Sequence, residues 1–331
     1  MIKVLSLFSG IGSPEQALKN LGIKFELVGF SEIDKFAIKS FCSVHNVDES
    51  LNLGDITKIN IKSLPIDIDL ITHGSPCQDF SVAGKGHGGI EGSGTRSSLM
   101  WNTVQIVEHC KPKIVIWENV KNVISKKHKD TFDKYIDKMD SLGYKNYYKV
   151  LNAKHYGVPQ NRERIFVISI RKDVNIDFTF PEPFDNGLRL IDILENNVDE
   201  KFYINTGKAK NLIEKFKTTH EKQLNKKVSD TNRLLQISLL GESGFKHTRI
   251  VYDKLGVSPT LDTMQGGGKT PKILCEQRVD EGLRFFKDGV CGSLRTISNH
   301  NASRVIDVNG ICPTVMENHG TVTGVLVSNK K

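Results

Sequence analysis

Residues 3–12 read Lys3-Val-Leu-Ser-Leu-Phe-Ser-Gly-Ile-Gly12. The apolar run at the start is typical of a buried β-strand, and the two glycines that follow indicate a tight turn. Pro14 then stands near the first turn of a predicted helix over 14–21, a position where its missing N–H is tolerated. A buried strand that turns directly into a helix is the opening unit expected of a doubly wound α/β sheet.

The same alternation of apolar strands and amphipathic helices continues to Arg171. Strands are predicted at 26–31, 69–73, 114–117, 147–151 and 164–170, and helices at 99–110, at 129–142 and from Asp34 over about ten residues. Alternating strands and helices favour a parallel sheet with helices on both faces. The predicted fold class is therefore α/β, doubly wound, with backbone N–H groups of the Phe8–Gly12 turn facing a ligand.

A second, smaller and β-rich domain is predicted after the α/β part. The periodicity weakens across Phe180-Pro-Glu-Pro-Phe-Asp-Asn-Gly187, so the expected organisation is a domain over 1–180, a linker over 181–200 and a domain over 201–331. In the last of these, the segments 249–272 and 304–325 begin alike, and each is predicted to form a strand, a glycine turn and a second strand. A chance likeness between two hairpins of one sheet is the alternative.

The composition excludes several classes of protein. The chain has 331 residues, of which 38% are hydrophobic and 25% charged, and it lacks an apolar run near the ~20 residues of a membrane helix. The N-terminal residues do not follow the pattern of a signal peptide. The six cysteines have no Cys-x-x-Cys spacing, which argues against a disulfide framework and against a zinc site. We therefore expect a cytoplasmic protein without a metal or a membrane partner.

The positive charge is concentrated in the C-terminal part. Residues 1–200 carry 25 Lys and Arg against 26 Asp and Glu, whereas residues 201–331 carry 21 against 12. Lys and Arg gain free energy by displacing counterions that are condensed on phosphates, so this asymmetry favours a domain that binds a polyanion. A solvated lysine-rich surface is the alternative.

Two carboxylates suit a nucleotide-like ligand at the ends of the first strands. Glu32 follows the second strand, where a carboxylate can accept hydrogen bonds from ribose hydroxyls. Asp55, in Gly54-Asp-Ile56, can accept one from an adenine amino group. Each of these acids is common in any α/β domain, and only their order after the glycine turn makes them informative.

A cysteine lies in the loop after the strand at 69–73. Cys77 stands within Gly74-Ser-Pro-Cys-Gln-Asp-Phe-Ser81, where loops of such sheets present reactive groups, although a half-buried structural thiol is the alternative. Six glycines then fall within 84–94. They predict a flap that closes over a substrate, with plain disorder as the alternative.

Three further polar residues are candidates for catalysis. Glu118, at the edge of the strand 114–117, can keep or share a proton. Arg162 and Arg164 are predicted on one face of a strand, where they suit a phosphate or a carbonyl oxygen. A surface carboxylate and ordinary ion pairs, for example with Glu163, are the alternatives.

Residues 4–171 contain an ordered set of short motifs. In chain order they are Phe-Ser-Gly-x-Gly, a Glu at the end of the second strand, Gly-Asp-Ile, Pro-Cys-Gln-x-Phe-Ser, Glu-Asn-Val and Gln-x-Arg-x-Arg. This set resembles the DNA cytosine-5 methyltransferases. The resemblance implies a Rossmann-like domain over 1–180 that binds S-adenosyl-L-methionine, and double-stranded DNA that is read by the domain 201–331. It implies cofactor contacts by Phe8, Gly10, Gly12, Glu32, Ile33, Asp55 and Pro76. It implies catalysis by Cys77, Glu118, Arg162 and Arg164. It implies substrate contacts by Gln78, Ser81, Arg96, Asn119, Thr260, Leu261, Thr314 and Val315.

The resemblance also implies a mechanism. The thiolate of Cys77 adds to carbon 6 of cytosine, which makes carbon 5 a nucleophile for the methyl group. Glu118 then donates a proton at N3, and Arg162 or Arg164 stabilises the carbonyl oxygen. Because stacking encloses these carbons in a duplex, the base must be extruded, with the flap 81–98 closing behind it. The sequence does not name the base that takes the carbon-5 proton; water or hydroxide is one candidate.

The chain departs from the family's pattern in two places. It reads Ser81-Val-Ala-Gly84 where the family often has Ser-x-Ser-Gly, so the hydroxyl is missing at Ala83. A Thr-Pro-x-Glu-like segment and a final helix with a Gly-Asn pair are not found after the second repeat. We therefore expect either that a second polypeptide supplies this segment or that the chain is a truncated product.

The leading hypothesis is a DNA (cytosine-5-)-methyltransferase of a restriction–modification system or a phage. Three alternatives are a tRNA cytosine-5 methyltransferase, a DNA-binding half of a split enzyme that is inactive without a second chain, and a nicotinamide-dependent oxidoreductase. The basic, repeat-bearing domain favours DNA over RNA, because the major groove of A-form RNA offers hairpins little to read. The glycine spacing does not match the dinucleotide fingerprint, which disfavours the oxidoreductase.

Overall fold

The computed structural model describes residues 1–77, 92, 95–195, 203–204, 231–240, 249–261, 271–274, 283–285, 290–293, 304–307 and 323–326. The chain divides into two compact units, and this division differs from the predicted one. The first unit comprises Met1–Leu151, Glu163–Pro181 and Glu317–Lys331, and the second comprises Asn152–Arg162 and Glu182–Met316. Among the described residues, no helix is long and apolar enough to span a membrane.

A six-stranded sheet forms the centre of the first unit. Its strands are β1 (Ile2–Leu7), β2 (Phe25–Ser31), β3 (Leu70–His73), β4 (Ile114–Val120), β5 (Tyr144–Asn152) and β6 (Glu163–Arg171), in the order β2-β1-β3-β4-β6-β5. β1 is parallel to β2 and β3, and β3 is parallel to β4. The predicted parallel α/β arrangement is therefore present in the four strands β2, β1, β3 and β4.

The prediction of an all-parallel sheet is wrong at β6, which pairs antiparallel with β4. The connection from β5 to β6 holds only the short 3₁₀ turn Ala153–His155 and no crossover helix. Neighbouring parallel strands need a crossover of about a dozen residues or more, whereas an antiparallel return does not. As a result, the first residues of β6 lie at the edge of the sheet where β4 ends.

In the described part of the first unit, four α-helices accompany this sheet: α1 (Ser13–Asn20), α2 (Lys35–His45), α3 (Met100–Cys110) and α4 (Lys129–Ser141). α2 begins after Asp34, whose carboxylate accepts hydrogen bonds of 2.9 Å from the amides of Phe36 and Ala37. The core between sheet and helices is fully buried and apolar. Its members include Leu5, Ile71, Val115, Val167, Ile106 and Met139.

β4 alternates between two environments along its length. Val115, Trp117 and Asn119 are buried, whereas the intervening residues are partly exposed. Successive side chains of a strand point to opposite faces, so Glu118 faces away from its two buried neighbours. β4 reaches Val120, three positions beyond the predicted end, and this places Glu118 inside the strand rather than after it.

The described residues of the second unit form short strands and one short helix. A five-stranded sheet has the order β7-β11-β10-β9-β8, and two further strands, β12 and β13, pair antiparallel. These strands are β7 (Tyr203–Ile204), β8 (Gln236–Leu239), β9 (Ile250–Asp253), β10 (Lys272–Leu274), β11 (Leu283–Phe285), β12 (Val290–Ser293) and β13 (Arg304–Asp307). The helix α5 (Leu190–Ile193) falls within the range predicted as a linker. A last strand, β14 (Thr323–Leu326), belongs to the first unit and lies near α2.

The two copies of the predicted repeat each begin with a strand, β9 in the first and β13 in the second. The second strand predicted for the first copy is wrong, because this part of the chain forms only an isolated bridge between Gln160 and Ser258. Most of the second copy lies outside the described residues.

Candidate active site

The turn after β1 has an unusual backbone. Phe8, Gly10 and Gly12 all have positive φ, at 54°, 56° and 83°. Such a conformation is rare for a residue with a Cβ, and its occurrence at Phe8 marks a strained segment of the kind found at binding sites. Beside it, Nε2 of His45 lies 3.0 Å from the carbonyl oxygen of Ile11. Because a carbonyl only accepts, Nε2 must carry the proton.

His45 was not predicted from the sequence as a site residue. Its side chain is buried at the end of α2, and burial lowers its pKa to about 4, so the ring is neutral at physiological pH. A lone histidine at the end of an apolar helix gives no signal of this contact. Only the packing of α2 against the turn reveals it.

Glu32 is the main support of the turn. Its Oε2 accepts a hydrogen bond of 2.9 Å from the amide of Gly10, and its Oε1 accepts from the amides of Ile33 and Asp34. The amide of Gly12 donates to Ser9 within the turn. The amides of Gly10 and Gly12 therefore have acceptors within the protein, and contact of this turn with a cofactor stays a prediction. Each carboxylate oxygen can accept two hydrogen bonds, so Oε2 keeps capacity for a ligand hydroxyl.

Asn52 joins two predicted cofactor segments and was missed at the sequence level. Its Oδ1 accepts hydrogen bonds of 3.1 Å from the amides of Glu32 and Gly54, and its Nδ2 donates to the carbonyl of Glu32. The neighbouring Asp55 accepts from the amide and the hydroxyl of Thr57, which lowers the pKa of Asp55 and keeps it ionised. Both carboxylates are thus held in place at one edge of the sheet.

The loop after β3 carries Cys77 and is anchored by buried side chains. Nδ2 of Asn119 lies 3.1 Å from the carbonyl oxygen of Ser75, and the hydroxyl of Ser97 donates to the carbonyl of Pro76 at 2.9 Å. The thiol of Cys77 is half-buried and forms no disulfide. Two consecutive carbonyls before the cysteine are therefore fixed from β4 and from the 3₁₀ helix Arg96–Leu99.

Asn119 and Ser97 both support the loop of Cys77, and neither was predicted in this role. Asn119 was predicted to contact substrate, but its side chain is 2% exposed and supports the loop of Cys77 instead. Ser97, which is fully buried, was not predicted. A serine next to a glycine-rich stretch gives no sequence signal, since its role depends on the return of the chain to the end of β3.

An ion pair lies next to this loop. Nε of Arg164 is 2.9 Å from Oε1 of Glu118, and the side chains are 16% and 37% exposed. A Cβ built on Gly74 would lie 3.7 Å from Oε2 of Glu118, so the carboxylate contacts the start of the loop of Cys77. The antiparallel direction of β6 creates the pair, because it brings Arg164 opposite Val120 at the end of β4. Arg164 does not pair with the carboxylate of Glu163, which pairs with a lysine.

Arg162 lies in a different environment from Arg164. It precedes β6 and belongs to the second unit, where its amide donates to Oδ1 of Asn152 and its carbonyl accepts from Ala153. The prediction that Arg162 and Arg164 share one face of a strand is therefore wrong. Arg164 remains beside Glu118, and the catalytic role of Arg162 stays a prediction.

The predicted DNA-contacting residues are only partly described. In the second unit, the exposed Thr260 donates from its hydroxyl to the carbonyl of Asn161, and Leu261 is buried at 4% exposure. Leu261 thus packs in the interior of this unit, and its contact with substrate stays a prediction. Gln78, Ser81, Thr314, Val315, the side chain of Arg96 and most of the segment 81–98 lie outside the described residues.

Four features share the carboxyl edge of one α/β sheet. They are the strained glycine turn after β1, the carboxylate at the end of β2, the loop of Cys77 after β3 and the ion pair at the end of β4. In sheets of this class the carboxyl edge is where ligands bind. The first unit is thus an α/β enzyme domain of the Rossmann-like methyltransferase class.

The family model for C-5 cytosine-specific DNA methylases matches residues 2–306. The chain belongs to this family, and the predicted class of enzyme, a DNA (cytosine-5-)-methyltransferase, is confirmed. The orphan methyltransferase M.SPRI of Bacillus phage SPR is 39% identical over 311 residues, which cover 85% of this chain and 68% of the relative. The orphan methyltransferase M.SPBetaI of Bacillus phage SPbeta is 36% identical, with coverage of 91% and 83%.

A solved structure also has a similar fold. The S. pombe Dnmt2 methyltransferase superposes with a TM-score of 0.59 at 19% identity, covering 86% of this chain and 84% of that one. At this level of identity the likeness concerns the fold alone. It agrees with the mixed six-stranded sheet as the framework of a methyltransferase.

Proposed function

We propose that this protein transfers a methyl group from S-adenosyl-L-methionine to carbon 5 of cytosine at a specific site in double-stranded DNA, with Cys77 as the nucleophile. The observation that carries the proposal is the contact between the loop of Cys77 and the Glu118–Arg164 pair at the carboxyl edge of the sheet. A thiol, a proton donor and a fixed cation are the groups that this reaction requires. The phage relatives support a role in a phage.

The edge formed by β1 and β2 fits the cofactor. Glu32 has an oxygen available for a ribose hydroxyl, Ile33 presents a 57% exposed apolar side chain to an adenine ring, and Asp55 is ionised and able to accept from an amino group. A Cβ built on Gly10 meets no atom within 4 Å, so this side of the turn is open to a ligand. When bound, S-adenosyl-L-methionine supplies a methyl group on a positively charged sulfur.

The chain's own residues perform the activation of cytosine. The thiolate of Cys77 forms a bond to carbon 6, and the electron pair of the 5,6 double bond becomes available at carbon 5. Negative charge spreads to N3 and to the carbonyl oxygen as this bond forms. Glu118, in its protonated form, donates a proton at N3, and Arg164 holds that carboxyl group in position while its positive charge stabilises the oxygen.

Completion of the reaction requires loss of the carbon-5 proton to water or hydroxide, departure of the Cys77 thiolate from carbon 6, and return of the N3 proton to Glu118. These steps need the cytosine outside the stack of the duplex, so the base is extruded into the site. The basic C-terminal part, with 21 Lys and Arg against 12 Asp and Glu in 201–331, supplies the phosphate contacts.

The test is transfer of a labelled methyl group to unmethylated genomic DNA, followed by nucleoside analysis. We expect label in 5-methylcytosine with the wild-type chain and none with Cys77→Ser, while DNA binding is retained. Cys42→Ser is the matched control, because Cys42 is also a half-buried cysteine that forms no disulfide but lies in α2. Label in another nucleoside, or full activity of Cys77→Ser, would overturn the proposal.

A further inference from the structure

The indole group of Trp117 makes a polar contact with the loop of Cys77. Nε1 of Trp117 lies 3.0 Å from Oγ of Ser75, and both side chains are buried, at 0% and 3% exposure. Ser75 stands two positions before Cys77. This hydroxyl therefore joins the middle of β4 to the loop that presents the thiol.

The position of the indole ring is fixed on several sides. Trp117 is the register partner of His73 across β3 and β4, and their rings stack at a centroid distance of 5.8 Å and an angle of 2°. Tyr135 and Phe132 of α4 lie at centroid distances of 4.4 and 6.1 Å from Trp117. Side chains in such a closely packed core keep one rotamer, so the N–H has one direction.

The contact is not required by packing alone. A phenylalanine at 117 would fill most of the same space but would have no donor, and the hydroxyl of Ser75 would lose the shorter of its two contacts with β4. The other contact, from Nδ2 of Asn119, is longer, at 3.4 Å. The segment 74–77 lies beyond the end of β3, so its position depends on such side-chain contacts.

We propose that Trp117 is a positioning residue for the nucleophile, and that its indole N–H fixes Ser75 and thereby the backbone that presents Cys77. The inference rests on the proposed role of Cys77 as the nucleophile. A small misplacement of a reacting group lowers the rate of the chemical step much more than the affinity for substrate. Loss of the contact therefore affects kcat and leaves KM nearly unchanged.

The test compares Trp117→Phe, Ser75→Ala and the double variant in steady-state and single-turnover methylation of DNA. We expect each single variant to lower kcat and the single-turnover rate about tenfold. The KM for DNA and the KM for S-adenosyl-L-methionine should both stay within about twofold of wild type. The double variant should be no slower than Ser75→Ala alone, because that change already removes the contact with Trp117. Ser75→Ala is the smaller change, so it tests the inference even if Trp117→Phe does not fold.

Tyr144→Phe is the matched control. It deletes a buried hydroxyl that donates to the carbonyl of Pro112 at 2.8 Å, in β5 and outside the residues that surround Trp117. We expect a lowered thermal midpoint with unchanged kcat. An unchanged kcat in Ser75→Ala, or an equal loss in Tyr144→Phe, would overturn the inference. A wild-type chain that methylates no cytosine would instead contradict the proposed function itself.

Discussion

Nε2 of His45 occupies the space that a side chain at Gly12 would need. A Cβ built on Gly12 would lie 2.1 Å from this nitrogen, well inside van der Waals contact, and Gly12 also has a φ of 83°. The same nitrogen donates a hydrogen bond to the carbonyl oxygen of Ile11. The turn after β1 and the end of α2 therefore constrain each other, and glycine is required at position 12 by conformation and by its neighbour.

Gly12→Ala should lower the free energy of unfolding more than Gly22→Ala does. The left-handed conformation costs an alanine about 1–2 kcal/mol, and the clash with His45 adds a packing penalty of about 1–3 kcal/mol. Gly22→Ala is the control, because Gly22 has a φ of 66° but no atom within 4 Å of its built Cβ. Urea unfolding measures both variants. Equal losses of stability would show that His45 imposes no constraint on the turn.

The stability of the protein should fall between pH 7 and pH 5, in part because of His45. The pKa of this group is lowered from 6.5 to about 4 on folding. In that window the unfolded chain binds a proton that the folded chain does not, so acid favours unfolding, by about 1–2 kcal/mol for this group. His45→Gln should lose this part of the pH dependence. Identical slopes of unfolding free energy against pH in the two proteins would contradict the assignment.

Glu32→Ala should weaken cofactor binding. The change removes the acceptor of three backbone amides, including that of Gly10, and the carboxylate proposed to receive a ribose hydroxyl. Loss of hydrogen bonds to a charged group predicts a fall in affinity of about tenfold to a hundredfold, measured by titration calorimetry with S-adenosyl-L-methionine. Asp48→Ala is the control, because Asp48 also accepts from a local amide but lies in a separate turn. A comparable loss of affinity in both variants would show that the change acts through a general loss of structure and not through the cofactor site.

Arg164→Lys should lower kcat by about tenfold, because a lysine cannot reproduce the planar, directed donors of a guanidinium group toward Glu118. Arg171→Lys is the control at the other end of β6, where the arginine pairs with Asp173. We expect it to keep the wild-type rate of methylation. If both variants are equally active, the pair with Glu118 has no part in the reaction.

Much of the first unit was predictable because its signals are local. The helix after Asp34 begins where a side-chain cap is available, and strand β3 was predicted to within one residue of its start. The order of the glycine turn, Glu32, Cys77 and Glu118 indicated the family, which the family model confirmed. Each of these signals depends on residues that are close in sequence.

The strands and helices of the sheet and the class of enzyme were readable from the amino-acid sequence, because periodicity and motif order are properties of neighbouring residues. The antiparallel direction of β6, the pair of Arg164 with Glu118, the contact of His45 with the glycine turn and the contact of Trp117 with Ser75 became visible in the folded chain alone. Each of these joins residues that are distant in the chain. Their geometry depends on how the elements pack, and no local pattern records that.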